Sequence, residues 1–292
     1  MKYPVLPPNM ERIAVVMRGH LRTWKYTKDI IQKFYSSISH HVDYYFILWD
    51  YEQTRNYDVR VDFPAGNLIQ YKLVPIPGMN PDTSLPYEDT LYNGWRGPSH
   101  LATFAISEIK KRKYDMVIET RPDIIPVRDH RYEVNIPGPN DYYTTEFSII
   151  TLNGETRPGR DNVSLDDWML IMHPDRYEEI ANRATVVPYA GMYGHQRELA
   201  TYVQSCGMKI WRTKWVKTFF TRPNSIEHLP KINFDEGYWV NPLGRGPECT
   251  KLMHLNHEWT QMPIGSKLRL LRKYNFGEED WKNEFHWRRK TI

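Results

Sequence analysis

The chain predicts an α/β fold built on a mostly parallel, twisted sheet flanked by helices. Short apolar, β-rich runs recur at Arg12 to Met17, Tyr44 to Trp49 and Met116 to Ile118, each too short for a helix. Segments with apolar residues at helical spacing lie between them. Each run also closes on a polar cluster, which is where open α/β sheets collect ligand-binding groups.

The first run (RIAVVM) ends in Arg18-Gly19-His20-Leu21-Arg22-Thr23, a glycine-containing turn with three potentially cationic groups. Residues 24–38 place Trp24, Ile30, Ile31, Phe34 and Ile38 at helical spacing, so the opening reads strand, basic turn, helix. The second run (YYFILW) closes on Asp50. Residues 56–92 are rich in Pro and Gly, with a strand-like piece near Leu68 to Val74, and are expected to be largely irregular. Residues 98–112 predict one helix: Pro98 suits the first turn, Leu101, Phe104, Ala105, Ile106 and Ile109 form one face, and basic residues crowd the end.

The third run leads into Glu119-Thr120-Arg121-Pro122-Asp123, where Pro122 interrupts regular structure before Ile124 and Ile125. Further on, Tyr142 to Leu152 carries β-rich pieces, and Asp166-Asp167 precede the apolar stretch Met169 to Met172. Asp175 to Ala184 predicts a short helix capped by Asp175 or started by Pro174. Gln196 to Ser205 predicts a helix with Gly207 at its end, and Lys209 to Trp211 a strand. A long Pro- and Gly-containing stretch then reaches Met253-His254 to Trp259, followed by a basic tail. The expected organisation is a domain over 1–260 and a basic helical extension over 261–292.

Composition narrows the function. The chain has 292 residues with 25% charged and 40% hydrophobic side chains, a globular balance, and a formal charge of +4. That charge suits a small anionic ligand. A nucleic-acid platform would need clustered Lys and Arg, and the basic tail is interrupted by Glu278, Glu279, Asp280 and Glu284, as in a solvated amphipathic helix. Two cysteines, Cys206 and Cys249, leave no disulfide framework or zinc pattern and point to a reducing, cytoplasmic setting. The first residues lack a signal-peptide core, and no apolar run is long enough for a transmembrane segment.

In a parallel sheet, Arg18, His20, Arg22, Asp50, Arg121 and Asp123 fall along one edge. Arginine at a turn into a helix grips phosphate through its planar fork. Asp50 and Asp123 are hard oxygen ligands for ribose hydroxyls or for Mg²⁺ or Mn²⁺. His254 and His257 could add a nitrogen ligand. Structural alternatives stand beside each of these: a solvated Arg121–Asp123 pair, a capping role for Asp166-Asp167, and structural histidines.

Tyr114-Asp115-Met116-Val117-Ile118 followed by Arg121-Pro122-Asp123 resembles the acidic metal-binding strand of GT-A-fold glycosyltransferases. Asp123 matches the second Asp of that motif, and Arg121 stands where the first Asp usually is. Together with Arg18-Gly19-His20-Leu21-Arg22-Thr23, the chain is similar to a subgroup of bacterial and viral transferases that carry Arg-Pro-Asp. The resemblance spans roughly residues 12–260. It implies a GT-A-like fold, transfer of a sugar from a UDP- or GDP-linked donor to a glycan or other hydroxyl acceptor, and donor binding by Arg18, Gly19, His20, Arg22, Asp50, Arg121 and Asp123. It also implies Mn²⁺ or Mg²⁺ on Asp123 with His254 or His257, and Asp166-Asp167 in the segment lining the acceptor and donor sugar. Arg121 in place of an acid could itself neutralise the leaving nucleotide. If the reaction inverts, Asp167, Asp166 and Glu198 are candidate bases. The altered acidic motif also suits a non-catalytic nucleotide- or glycan-binding protein.

Overall fold

A computed structural model of the protein describes residues 9–21, 23–63, 66–76, 96–130, 132–145, 147–149, 163–165, 168–183 and 194–220. Arg22, Asp166, Asp167, His254, His257 and the expected extension over 261–292 lie outside the described residues. In chain order the elements are β1 (Met10–Gly19), α1 (Trp24–Ser36), β2 (Ser39–Asp50), α2 (Glu52–Arg55), a 3-10 turn (Val59–Asp62), β3 (Leu68–Pro75), α3 (Arg96–Thr103) and α4 (Ile106–Ile109). Then come β4 (Met116–Thr120), β5 (Ile124–Arg128), β6 (Asp141–Thr144), β7 (Phe147–Ile149), β8 (Val163–Leu165) and β9 (Met169–Met172). A 3-10 turn (Pro174–Arg176), α5 (Tyr177–Ala181), α6 (Gly194–Ser205), β10 (Lys209–Arg212) and β11 (Val216–Phe220) complete them.

The main sheet has seven strands in the order β10-β6-β9-β4-β1-β2-β3. Strand β9 runs antiparallel to both its neighbours, and every other pairing in this sheet is parallel. This is the mostly parallel, helix-flanked α/β sheet expected from the sequence. From β1 the chain moves outward through α1 to β2 and β3, then returns to the other side of β1 for β4. The β1/β4 seam is therefore the topological switch point, the place where open α/β sheets take ligands outside the carboxyl ends of their strands.

Both faces of the sheet are covered, which explains strands that read as continuous apolar runs. Ile13, Val15 and Met17 of β1 face one core layer with Trp24, Ile31 and Phe34 of α1. Ala14 and Val16 face the other, with Leu101 and Ala102 of α3, Ile109 of α4, Ile180 of α5 and Leu199 of α6. The buried positions Trp24, Thr27, Ile31, Phe34 and Tyr35 form one stripe of α1. The Trp24 indole N–H donates to Asp62 at 2.8 Å, and the Tyr57 hydroxyl also reaches that carboxylate at 3.0 Å, so the 57–63 segment is tied to the helix.

Local differences from the sequence expectations have identifiable causes. The helix expected over 98–112 breaks at Phe104-Ala105, whose amides make tighter i→i−3 bonds to Leu101 and Ala102. The break leaves the Phe104 carbonyl to the Gln70 side chain at 3.1 Å and its ring beneath the Lys72 ammonium, 3.8 Å from the centroid. The later helix starts as a 3-10 turn capped by His173, whose Nδ1 accepts from the Asp175 amide at 3.3 Å; Pro174 occupies the first turn. Strand β5 leaves the main sheet to pair antiparallel with β11, where Pro126 lies opposite Thr218 in a two-stranded ribbon that tolerates proline.

Phe46 is fully buried on β2, with ring centroids 4.9 Å from Trp24 and 5.5 Å from Phe63. Replacing it by Ala is expected to cost about 3–5 kcal/mol, read as a lower urea midpoint at unchanged slope. A loss below about 1 kcal/mol would contradict this packing.

Candidate active site

At the switch point, β1 ends on Arg18 and Gly19. Gly19 has φ of +105°, a conformation open to glycine and strained for other residues. A Cβ there would meet nothing within 4 Å, so the demand is for backbone freedom and not for room. The chain then turns to His20, whose ring meets the Tyr51 ring edge-on at 4.9 Å and links the ends of β1 and β2. Two of the first three amides of α1 are already used within this turn, Trp24 N–H to Leu21 and Tyr26 N–H to Thr23. The turn thus offers few open amides for an anion.

Beneath these strand ends lies a buried ionic triad that the sequence did not announce. Arg18 Nε donates to Glu119 Oε1. From the far side, Arg183, two residues past α5, donates to Glu119 Oε1 at 2.6 Å and Oε2 at 3.2 Å, and to the Ile180 carbonyl at 2.7 Å. All three side chains are at most 1% exposed. Burial alone would push the Glu119 carboxyl up, but the Arg183 and Arg18 charges outweigh it and hold the carboxyl below its usual value. Arg18 and Glu119 share the inward face with Val16 and Val117, which explains why β1 and β4 can carry charges where a parallel strand is normally apolar. Tyr177 seals the layer, donating its hydroxyl to the Ala102 carbonyl at 2.8 Å.

Above the triad, Arg121 and Asp123 form a two-point fork: Nε to Oδ1 at 2.9 Å and Nη2 to Oδ2 at 2.8 Å. Asp123 is 1% exposed and Arg121 22%, so the guanidinium is the more accessible member. The turn between them is held by the Ile124 amide donating to the Arg121 carbonyl at 3.1 Å. It is also held by the Thr27 hydroxyl of α1, 3.5 Å from the Pro122 carbonyl. Of the expected metal ligands, only Asp123 is among the described residues. Both Asp123 oxygens already accept from Arg121, and no group of three His, Cys, Asp or Glu side chains among the described residues is arranged to hold a metal. Unit charges 4 Å apart repel by about 4 kcal/mol at an effective dielectric of about 20, and a divalent cation beside the guanidinium doubles that.

The expected site residues thus divide. Arg18, Gly19, His20, Arg121 and Asp123 gather at the β1/β4 seam. Asp50 closes β2 one strand away and binds Arg55, the last residue of α2, at 2.7 and 3.2 Å. The Trp168 carbonyl accepts from the Thr120 hydroxyl at 2.8 Å, which ties Trp168 to the end of β4. The backbone of Glu198 belongs to α6. Glu119 had a legible signal, a carboxylate at an inward strand position that demands a partner. Arg183 had none, because only the folding of α5 onto the sheet brings it there.

No family model and no curated protein matches the chain. Among solved structures, it is similar to a glycosyltransferase involved in the glycosylation of the major capsid of PBCV-1. That likeness has 13% identity and a TM-score of 0.37, over 69% of this chain and 81% of that one. It is also similar to the galactosyltransferase LgtC, solved with donor and acceptor sugar analogues, at 10% identity and a TM-score of 0.35, over 66% and 70% of the two chains.

Removing the Glu119 charge strands two buried arginines. Glu119→Gln is expected to cost about 3–5 kcal/mol in urea unfolding at neutral pH. Because the folded carboxyl lies below its unfolded value, the stabilisation is full above about pH 4.3 and fades as pH falls through the folded value. The gap between wild type and Glu119→Gln should therefore close in acid; a pH-independent gap would contradict the ion pairing. Gly19→Ala should cost about 1–3 kcal/mol from backbone strain alone.

Proposed function

We propose that the chain is a GT-A-type glycosyltransferase that moves a sugar from a nucleotide-diphosphate donor to a hydroxyl acceptor at the β1/β4 seam. The observation that carries this is the meeting, at the switch point of a parallel sheet, of a basic glycine turn and an Arg-Pro-Asp turn above a buried Arg–Glu–Arg triad. Two guanidiniums share one carboxylate in that triad, so the field at this end of the sheet favours an anion.

The chemical task is departure of a nucleoside diphosphate as positive charge develops at the anomeric carbon. Arg121 stands at the mouth of the seam with its guanidinium oriented by Asp123, ready to meet the charge that builds on the leaving phosphate. Arg18, held by Glu119, sets a positive field beneath it without moving during the reaction. His20, Asp50 and Arg22 are the candidates for ribose and sugar contacts. In an inverting reaction Asp167 or Asp166 would take the acceptor proton. UDP or GDP is the donor base expected from the resemblance, and a glycan the acceptor.

Screening UDP-, GDP-, CMP- and dTDP-linked sugars for acceptor-free hydrolysis should find at least one substrate. Arg121→Lys keeps the charge and loses the fork, and should lower kcat by about 10²-fold with near wild-type unfolding. Binding of a sugar nucleotide without any turnover would instead identify a non-catalytic binding protein.

A further inference from the structure

We infer that the donor diphosphate is held here without a divalent cation, and that Asp123 is a positioning residue for Arg121 instead of a metal ligand. The inference deepens the transferase proposal and rests on it only for the identity of the diphosphate. A cation-binding carboxylate must present oxygen lone pairs to the ligand. Asp123 instead turns both oxygens to the Arg121 guanidinium, at 2.9 and 2.8 Å, and is almost wholly enclosed. Metal binding would bring a divalent cation beside the guanidinium, against their mutual repulsion and in competition with the charge-assisted fork.

The other carboxylate at this end of β4 is committed in the same way. Glu119 accepts from Arg18 and Arg183 through both oxygens. The two described acids at this end of β4 are therefore each spent on orienting arginine, and the more accessible group there is the partly exposed guanidinium of Arg121. A planar fork pre-set by its carboxylate matches the paired oxygens of a diphosphate better than a mobile side chain would. The short spacing across Pro122 fixes that geometry, because both partners sit on one closed turn.

The test uses the full chain and calorimetric titration with inorganic pyrophosphate, UDP and GDP, each in EDTA and in Mn²⁺. At least one should bind in EDTA with an affinity little changed by Mn²⁺. Asp123→Asn, which cannot form the charged fork, should weaken that binding about tenfold or more, and Arg121→Lys should do the same should the first variant fold poorly. The manganese electron paramagnetic resonance signal should be equal in wild type and Asp123→Asn, which a ligand role would not allow. Binding seen only with Mn²⁺ overturns the inference and leaves glycosyl transfer standing. Binding in EDTA with no turnover of any sugar nucleotide leaves the inference standing and removes the transferase. No binding under any condition overturns both.

Discussion

The architecture of this protein turns on one buried carboxylate. Glu119 sits at the end of the central strand β4, fully enclosed, with Arg18 of β1 on one side and Arg183 beyond α5 on the other. Taking three charges out of water is costly, and buried ion pairs seldom repay that cost in stability against an apolar substitute. What the triad does secure is a geometry. It fixes β1 to β4 at the point where the chain reverses direction across the sheet, and it fixes the helical layer to both. A hydrophobic cluster of the same volume would fill the space and leave no oriented charge below these strand ends.

The same economy recurs one turn later. Arg121 and Asp123 bracket Pro122 and hold each other in a fork, while α1 supports the turn through Thr27. Arginine oriented by carboxylate is thus the repeated motif of this sheet edge, once fully buried and once partly open. An anion arriving at the open pair meets donors whose orientation was settled on folding, so little reorganisation remains to oppose binding. Asp50 and Arg55 repeat the pairing in a more solvated position, where screening makes it worth far less.

Much of the fold was legible in the sequence because its signals are local. The runs at Arg12 to Met17 and Tyr44 to Trp49, the stripe of α1 and the glycine at the end of α6 all emerge where their chemistry places them. Gly207, with φ of +75°, ends the helix as expected. The stretch 98–112 reads as one helix and folds as two, since its break answers to Gln70 and Lys72 on a strand far away in the chain. The site was half legible for the same reason. Parallel strand ends converge, so Arg18, Arg121 and Asp123 could be placed at one edge without knowing the strand order. Their partners could not. That Arg18 is bound by Glu119, and that Arg183 completes the triad, follows from strand register and from the docking of α5, which no local pattern encodes. The side-chain fork of Arg121 on Asp123 is likewise a matter of rotamers and not of spacing.

As proposed, the seam between β1 and β4 is an anion site for a diphosphate. Crystals soaked with inorganic pyrophosphate in EDTA put this to the test. Phosphate density is expected at the carboxyl ends of β1 and β4, within hydrogen-bond reach of the Arg121 guanidinium and with the Arg121–Asp123 fork intact. Density at another part of the molecule, or a pyrophosphate bound only through a metal ion on Asp123 with the fork broken, would contradict it.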